Sequence, residues 1–311
     1  MEGFYFKAKL ESQNPKLQTM NNGQRTMDDK LKHLILEALQ EDIGNGDHST
    51  LCCIEPSKQG KAVLKIKQDC VLAGVEVAKK TFQLVEPNII FHQYKKDGDK
   101  VANGEIAFEV EASIYTILKC ERLVLNTMQR MSGIATLTNI YADKIKAYKT
   151  QLLDTRKTTP NFRLLEKEAV KIGGGTNHRF GLYDMIILKD NHIDYCGGIE
   201  KVIEKSWNYV QQNKLNIKIE IETRSIEDVK KVCEFGVEKV DRIMLDNFEP
   251  SKIIEALKII NHQFETEASG GINLQNIENY AATGVDFISV GALIHQAKSV
   301  DLSLKAVLLN P

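Results

Sequence analysis

From Thr150 onward the chain alternates short apolar runs with amphipathic stretches, and this most limits the folds open to it. The runs are Leu152–Leu153, Met185–Leu188, Ile217–Ile221, Ile243–Leu245, Phe264–Ala268 and Phe287–Val290. Helical periodicity fills most of the intervals, at 198–210, 225–235, 250–261 and 274–282. Runs this short suit strands buried on both faces, and helices between them suit crossover connections. The pattern predicts a parallel sheet, either closed as a barrel or left open and doubly wound.

Each run ends in polar or glycine residues. Leu153 leads into Asp154-Thr155-Arg156-Lys157, Leu188 into Lys189-Asp190-Asn191-His192, and Ile221 into Glu222-Thr223-Arg224. Leu245 leads into Asp246-Asn247, Ala268 into Ser269-Gly270-Gly271, and Val290 into Gly291-Ala292. Parallel α/β folds bind ligands at the carboxyl ends of their strands. Arg156, Lys157, His178, Arg179 and Lys189 would give one side of such a site a strong positive charge, suited to carboxylates or phosphates. Glu222 and Asp246 would give it an acidic side able to hold Mg²⁺ or sugar hydroxyls. Ser269, Gly270, Gly271 and Gly291 would offer backbone N–H groups to a phosphate. Any one of these residues alone is most simply a solvated loop group; the repetition on every strand carries the argument.

The first part of the chain reads differently. Residues 1–27 are polar and aperiodic, and read as an extension. A helix follows, capped by Asp28 or Asp29, with a stripe of Leu31, Leu34, Ile35, Ala38 and Leu39. Strands are predicted at 62–66, 89–92 and 106–110, with a helix over 75–85, which together make a small α+β unit. A long helix spans about 113–146, where Ser132-Gly133 marks a bend or a close approach.

With 41 basic and 42 acidic residues the net charge is −1, which disfavours nucleic-acid binding. No apolar run reaches the ~18–20 residues that cross a bilayer, and no signal-peptide core is present. Six scattered cysteines without CxxC pairs fit a reduced, cytoplasmic chain.

The segments ALQEDIGNGDHST, ERLVLNTMQRMSGIAT, DTRKTTPNFR, KIGGGTNHRFGLYDMIILKDNHI, IEIET, IMLDNFEP, EASGGINLQNI and GVDFISVGAL resemble the quinolinate phosphoribosyltransferase family, a type II phosphoribosyltransferase family, in order and spacing. The likeness covers residues 28–311. It implies a TIM-like α/β barrel at 125–295. It also implies a smaller α+β, sandwich-like domain at 28–124, completed by about 296–311. The implied reaction joins quinolinate to the phosphoribosyl group of 5-phosphoribosyl-1-pyrophosphate and releases CO₂ and pyrophosphate, with Mg²⁺ as cofactor, in NAD biosynthesis. By position, Arg156, His178, Arg179 and Lys189 resemble residues that grip the quinolinate carboxylates, and Thr155 falls in the same substrate-binding segment. Lys157 and Lys189 resemble lysines beside the two substrates, and Glu222 and Asp246 the acidic pair at the ribose and Mg²⁺. Ser269, Gly270, Gly271 and Gly291 resemble the 5′-phosphate cradle. Arg122 resembles an arginine delivered from the second subunit of a homodimer, against the simpler reading of a surface salt bridge. The chain departs from many relatives at Ala268 and at Thr223-Arg224.

Two other readings remain at this point. One is a sister transferase acting on nicotinate, which the additional arginines disfavour. The other is a non-catalytic phosphosugar sensor, which would not need Lys157, Lys189, Glu222 and Asp246 together.

Overall fold

The computed structural model describes residues 26–307, so the extension lies almost wholly outside the described residues. The first helix, Met27–Ile43, is capped by Thr26 rather than by Asp28 or Asp29. The Thr26 hydroxyl oxygen accepts the Asp29 N–H, and the Asp29 carboxylate accepts the Thr26 N–H. Asp29 is thus the reciprocal partner of a capping box, with Asp28 beside it in the first turn.

The chain divides into two compact units. The first holds the described residues up to Thr136, with Pro160–Ile172 and those from Lys298 on. Its sheet has strands β1 (Gln59–Ile66), β3 (Ile90–Gln93), β5 (Ile106–Ser113) and β12 (Leu302–Val307), in the antiparallel order β12-β1-β5-β3. A short pair, β2 (Cys70–Val71) and β4 (Lys100–Val101), adds a second small sheet. The inward residues of β1 and β5 meet the Val75–Val85 helix around Phe108, which stacks on Phe91 at 4.6 Å and meets the edge of Phe82 at 6.4 Å. Each buried Phe of this kind contributes roughly 1.5–3 kcal/mol.

The long helix runs unbroken from Ile114 to Ile145. Gly133 is therefore a close approach and not a bend: a Cβ there would overlap the Lys298 carbonyl oxygen. A helix at Arg163–Ile172 has no counterpart among the sequence expectations. Its buried face includes Glu166 and Lys167, at 0% and 1% exposure, and these charges hide the apolar stripe. Glu166 is held by Arg130, whose Nε and Nη2 donate to it at 3.0 and 2.8 Å.

The second unit, Leu137–Thr159 with Gly173–Ala297, carries the parallel strands. These are β6 (Gln151–Leu153), β7 (Met185–Leu188), β8 (Lys218–Thr223), β9 (Arg242–Asp246), β10 (Glu265–Ser269) and β11 (Phe287–Ser289). From β7 to β11 each strand pairs with the next in sequence, and β11 then pairs with β6. An open doubly wound sheet reverses its order midway; this one wraps continuously, so the barrel alternative holds. A seam lies between β6 and β7. It is partly closed by Thr176, which bridges Leu153 in parallel and exchanges hydrogen bonds with Leu152 and Asp154. Amphipathic helices at Ile199–Gln212, Ile226–Phe235 and Pro250–Ile260 return the chain between strands. The Ser225 hydroxyl caps the second of these and Pro250 opens the third.

Candidate active site

A strand fixes the direction of its last side chains, so residues just past the six carboxyl ends share one mouth of the barrel. Lys189 follows β7 and Glu222 lies near the end of β8. The Lys189 ammonium donates to Glu222 at 3.0 Å, with Lys189 half exposed and Glu222 only 7% exposed. Asp246 ends β9 and is partly buried. Burial raises its pKa above the ordinary carboxylate value, and the Glu222 charge raises it further, against an opposing pull from Lys189. The two carboxylates therefore sense each other, with one lysine between them in charge. Asn247 holds this corner: its Nδ2 donates to Asp246 at 2.7 Å, and its N–H to the Ser269 carbonyl at 2.8 Å.

The β10 end turns through Gly270 and Gly271, at φ 91° and 66°. A Cβ on Gly270 would strike the Asn247 side chain, so glycine is required there by contact as well as by conformation. After β11, a Cβ on Gly291 would come within 3.1 Å of Lys157 Cδ and 3.3 Å of His295 Nε2. Lys157 thus flanks this glycine, and His295 adds a second basic group that the sequence reading missed. Its position four residues beyond Gly291 was the available signal.

Arg156 and Arg179 form the cationic edge. Burial lowers the Arg179 pKa, and the Arg156 charge lowers it further, as proximity of like charges requires. Arg179 is steadied by an Nη1 hydrogen bond to the Met185 carbonyl at 2.9 Å. The Thr155 hydroxyl accepts the Lys157 N–H at 3.1 Å and so shapes the turn that presents Arg156 and Lys157.

His178 lies deeper, on the barrel floor. Its Nε2 is 3.2 Å from both Glu220 and Glu267, each fully buried. Burial alone would lower the imidazole pKa, but the two carboxylates outweigh it and push it up to about 9. The Arg179 N–H donates to Nδ1 at 2.7 Å, while Nε2 faces the carboxylates. Burial, and then the Glu267 charge, raise the Glu220 pKa to about 7. Sequence reasoning missed Glu220, Glu267 and Arg242, because charged residues alternating within a strand read as solvent-facing.

Arg122 stands exposed on the long helix and belongs to the first unit. The departures at Thr223 and Arg224 are also accounted for. Thr223 is buried and donates to the Met244 carbonyl at 2.9 Å, while Arg224 pairs with Asp194 at the surface at 2.9 Å. Ala268 is fully buried in its strand.

Known proteins resemble this chain in sequence and fold. Residues 47–132 match the model of the quinolinate phosphoribosyl transferase N-terminal domain, and residues 134–305 that of the C-terminal domain. The chain belongs to the quinolinate phosphoribosyltransferase family. It is 44% identical over 288 residues to quinolinate phosphoribosyltransferase [decarboxylating] 2, mitochondrial, of Nicotiana glauca, covering 88% of this chain and 82% of that protein. It is 40% identical over 281 residues to a probable nicotinate-nucleotide pyrophosphorylase [carboxylating] of Bacillus subtilis, covering 90% and 95%. The crystal structure of NadC from Streptococcus pyogenes superposes with a TM-score of 0.83 at 37% identity, covering 91% of this chain and 97% of that one. The nicotinate-nucleotide pyrophosphorylase of Francisella tularensis gives 0.82 at 36% identity, covering 93% and 100%. Among the described residues no helix is long and apolar enough to cross a membrane.

Proposed function

We propose that the chain transfers the phosphoribosyl group of 5-phosphoribosyl-1-pyrophosphate to quinolinate, with decarboxylation, to give nicotinate mononucleotide, pyrophosphate and CO₂. The observation that carries this reading is a like-charged arginine pair, Arg156 and Arg179, at a mouth that also holds Lys189, Glu222 and Asp246. Two guanidinium groups held together against their repulsion suit a dianion such as a pyridine dicarboxylate. The acidic pair suits a sugar whose anomeric carbon gains positive charge.

In this reading Arg156, Arg179 and Lys189 hold the two carboxylates so that the pyridine nitrogen faces C1 of the ribose. The N–C1 bond forms as the C1–O bond to pyrophosphate breaks, and that bond's electron pair leaves with the pyrophosphate. Glu222 and Asp246 stabilise the oxocarbenium-like ribosyl group between the two bonds. The ring nitrogen is then quaternary and positively charged. The bond to the adjacent carboxylate breaks, its electron pair stays on the ring carbon, and that carbon takes a proton. Ser269, Gly270, Gly271, Gly291 and Lys157 hold the 5′-phosphate. The mutual repulsion of Glu222 and Asp246 fits a divalent cation, and Mg²⁺ held there and by the pyrophosphate would neutralise the leaving charge.

The test is a paired reaction with Mg²⁺ and the phosphosugar, given either quinolinate or nicotinate. Equal amounts of nicotinate mononucleotide and CO₂, formed only with quinolinate, are expected. Product from nicotinate without CO₂ would move the chain to a sister transferase. Binding of the phosphosugar without any product would favour a sensor.

We further propose a homodimer in which Arg122 enters the partner's site, a reading supported by its exposure on the long helix. Arg122→Ala and Lys189→Ala should each be inactive alone. Mixed in equal amounts, they should recover about a quarter of wild-type activity, because random pairing gives half heterodimers with one intact site each. No recovery on mixing would remove Arg122 from a shared site.

A further inference from the structure

We propose that Glu220 and Glu267 are positioning residues for the anion pocket: through the His178 imidazole they set the main chain that carries Arg179. This rests on the reading of Arg179 as a quinolinate ligand.

The usual filling of a barrel layer is branched aliphatic side chains. Here the layer beneath the mouth is ionic. Glu220 lies two residues before Glu222 on β8, and Glu267 two before Ser269 on β10, so each pair shares the inward face. Arg242, on β9 between them, donates to Glu267 at 3.0 Å and to Glu265 at 3.0 Å, with its guanidinium 3.9 Å from the Phe287 ring centroid. Burying such groups costs several kcal/mol per ion unless geometry and charge both close. The geometry closes in part: Arg242 pairs with Glu267 at 3.0 Å, and the His178 Nε2 lies 3.2 Å from both Glu220 and Glu267.

The floor reaches the pocket through His178, and the Glu220 charge also acts directly on Arg179. His178 is tied at three points: Nε2 to both carboxylates at 3.2 Å, its own N–H to Asp154 at 2.8 Å, and Nδ1 to the Arg179 N–H at 2.7 Å. Asp154 begins the turn that carries Arg156. The imidazole therefore links the floor to the main-chain N–H of Arg179, while the Asp154 carboxylate holds the main-chain N–H of His178. A tilt of the ring would move the Arg179 N–H, and Arg179 would lose its aim at the dianion while the ribose and phosphate side stayed in place.

A network that serves only to fold the barrel would lower stability when altered, and would change both substrates' binding alike or neither. Positioning predicts a split. Glu267→Gln keeps the shape and an acceptor but removes the charge. It should raise the KM for quinolinate about tenfold or more, the scale of one weakened charge-assisted hydrogen bond. The KM for the phosphosugar should stay within about twofold and kcat within about threefold at saturation. Glu220→Gln should do the same, and carries the test if Glu267→Gln does not fold. Arg179→Ala is measured alongside. If Arg179→Ala raises the quinolinate KM and neither Gln variant does, the positioning role fails while the pocket reading stands. If Arg179→Ala leaves that KM unchanged, both fall. Equal rises in the two KM values, or a lowered melting temperature alone, would also overturn the proposal.

Discussion

Lys189→Ala should lower kcat/KM for quinolinate by about 100- to 1,000-fold, the scale seen when one aimed charge is removed from a transition state. The wild-type ammonium sits 3.0 Å from a Glu222 carboxylate that is only 7% exposed. Without it, Glu222 and Asp246 repel across the mouth with less to offset them. Asp246, already raised by burial and by Glu222, would lose the opposing pull of Lys189. The acidic side would then lose its salt-bridge partner at the mouth, and the carboxylate side would lose a cation. Initial rates with each substrate varied in turn, on protein whose melting temperature is unchanged, give the number. A loss under about threefold would show that Lys189 serves neither side.

Gly133→Ala should destabilise the protein by about 2–3 kcal/mol, the upper part of the usual range for overpacking. The sign is informative, since Gly→Ala inside a helix ordinarily stabilises by up to about 1 kcal/mol. Here the added methyl group overlaps the carbonyl oxygen of Lys298, a main-chain atom that cannot rotate aside. The segment beyond Lys298 supplies β12, so displacing it also disturbs the pairing of Leu302 with Ile66 and of Leu304 with Leu64. A fall of roughly 5–10 °C in melting temperature is expected for domains of this size. A rise would mean that the Lys298 turn yields freely.

Much of this was legible in the residues because local physics and the fold agree. The Val75–Val85 and Pro250–Ile260 helices sit where the apolar period and the flanking turn residues place them. The strand ends were legible for a related reason: a parallel strand buried on both faces is apolar until it emerges, so the first polar residues mark the mouth. Tertiary structure overrode the pattern elsewhere. Glu166 and Lys167 are buried in a helix, which broke the periodicity that would have revealed it. Glu220, Arg242 and Glu267 point inward and find one another only because three separate strands share a layer. The position of His178 beneath the mouth, with its ring turned to that layer, depends on the same convergence. No sequence period records a partner that lies on another strand.

The strand pairing also bears on how the chain can be made. Gln151 pairs with Phe287, and Lys61 with Val307, so the two larger sheets are each completed by a strand far along the chain. A chain growing from its N-terminus would present one open edge on β1 until β12 had emerged, and another on β6 until β11 had emerged. Pairing of such high contact order is slow, and open edges invite pairing with other chains in the meantime. Loss of only β12 would leave the β1 edge exposed for good. A short C-terminal truncation, which removes no residue at the mouth, would therefore act on solubility and yield before it acted on catalysis.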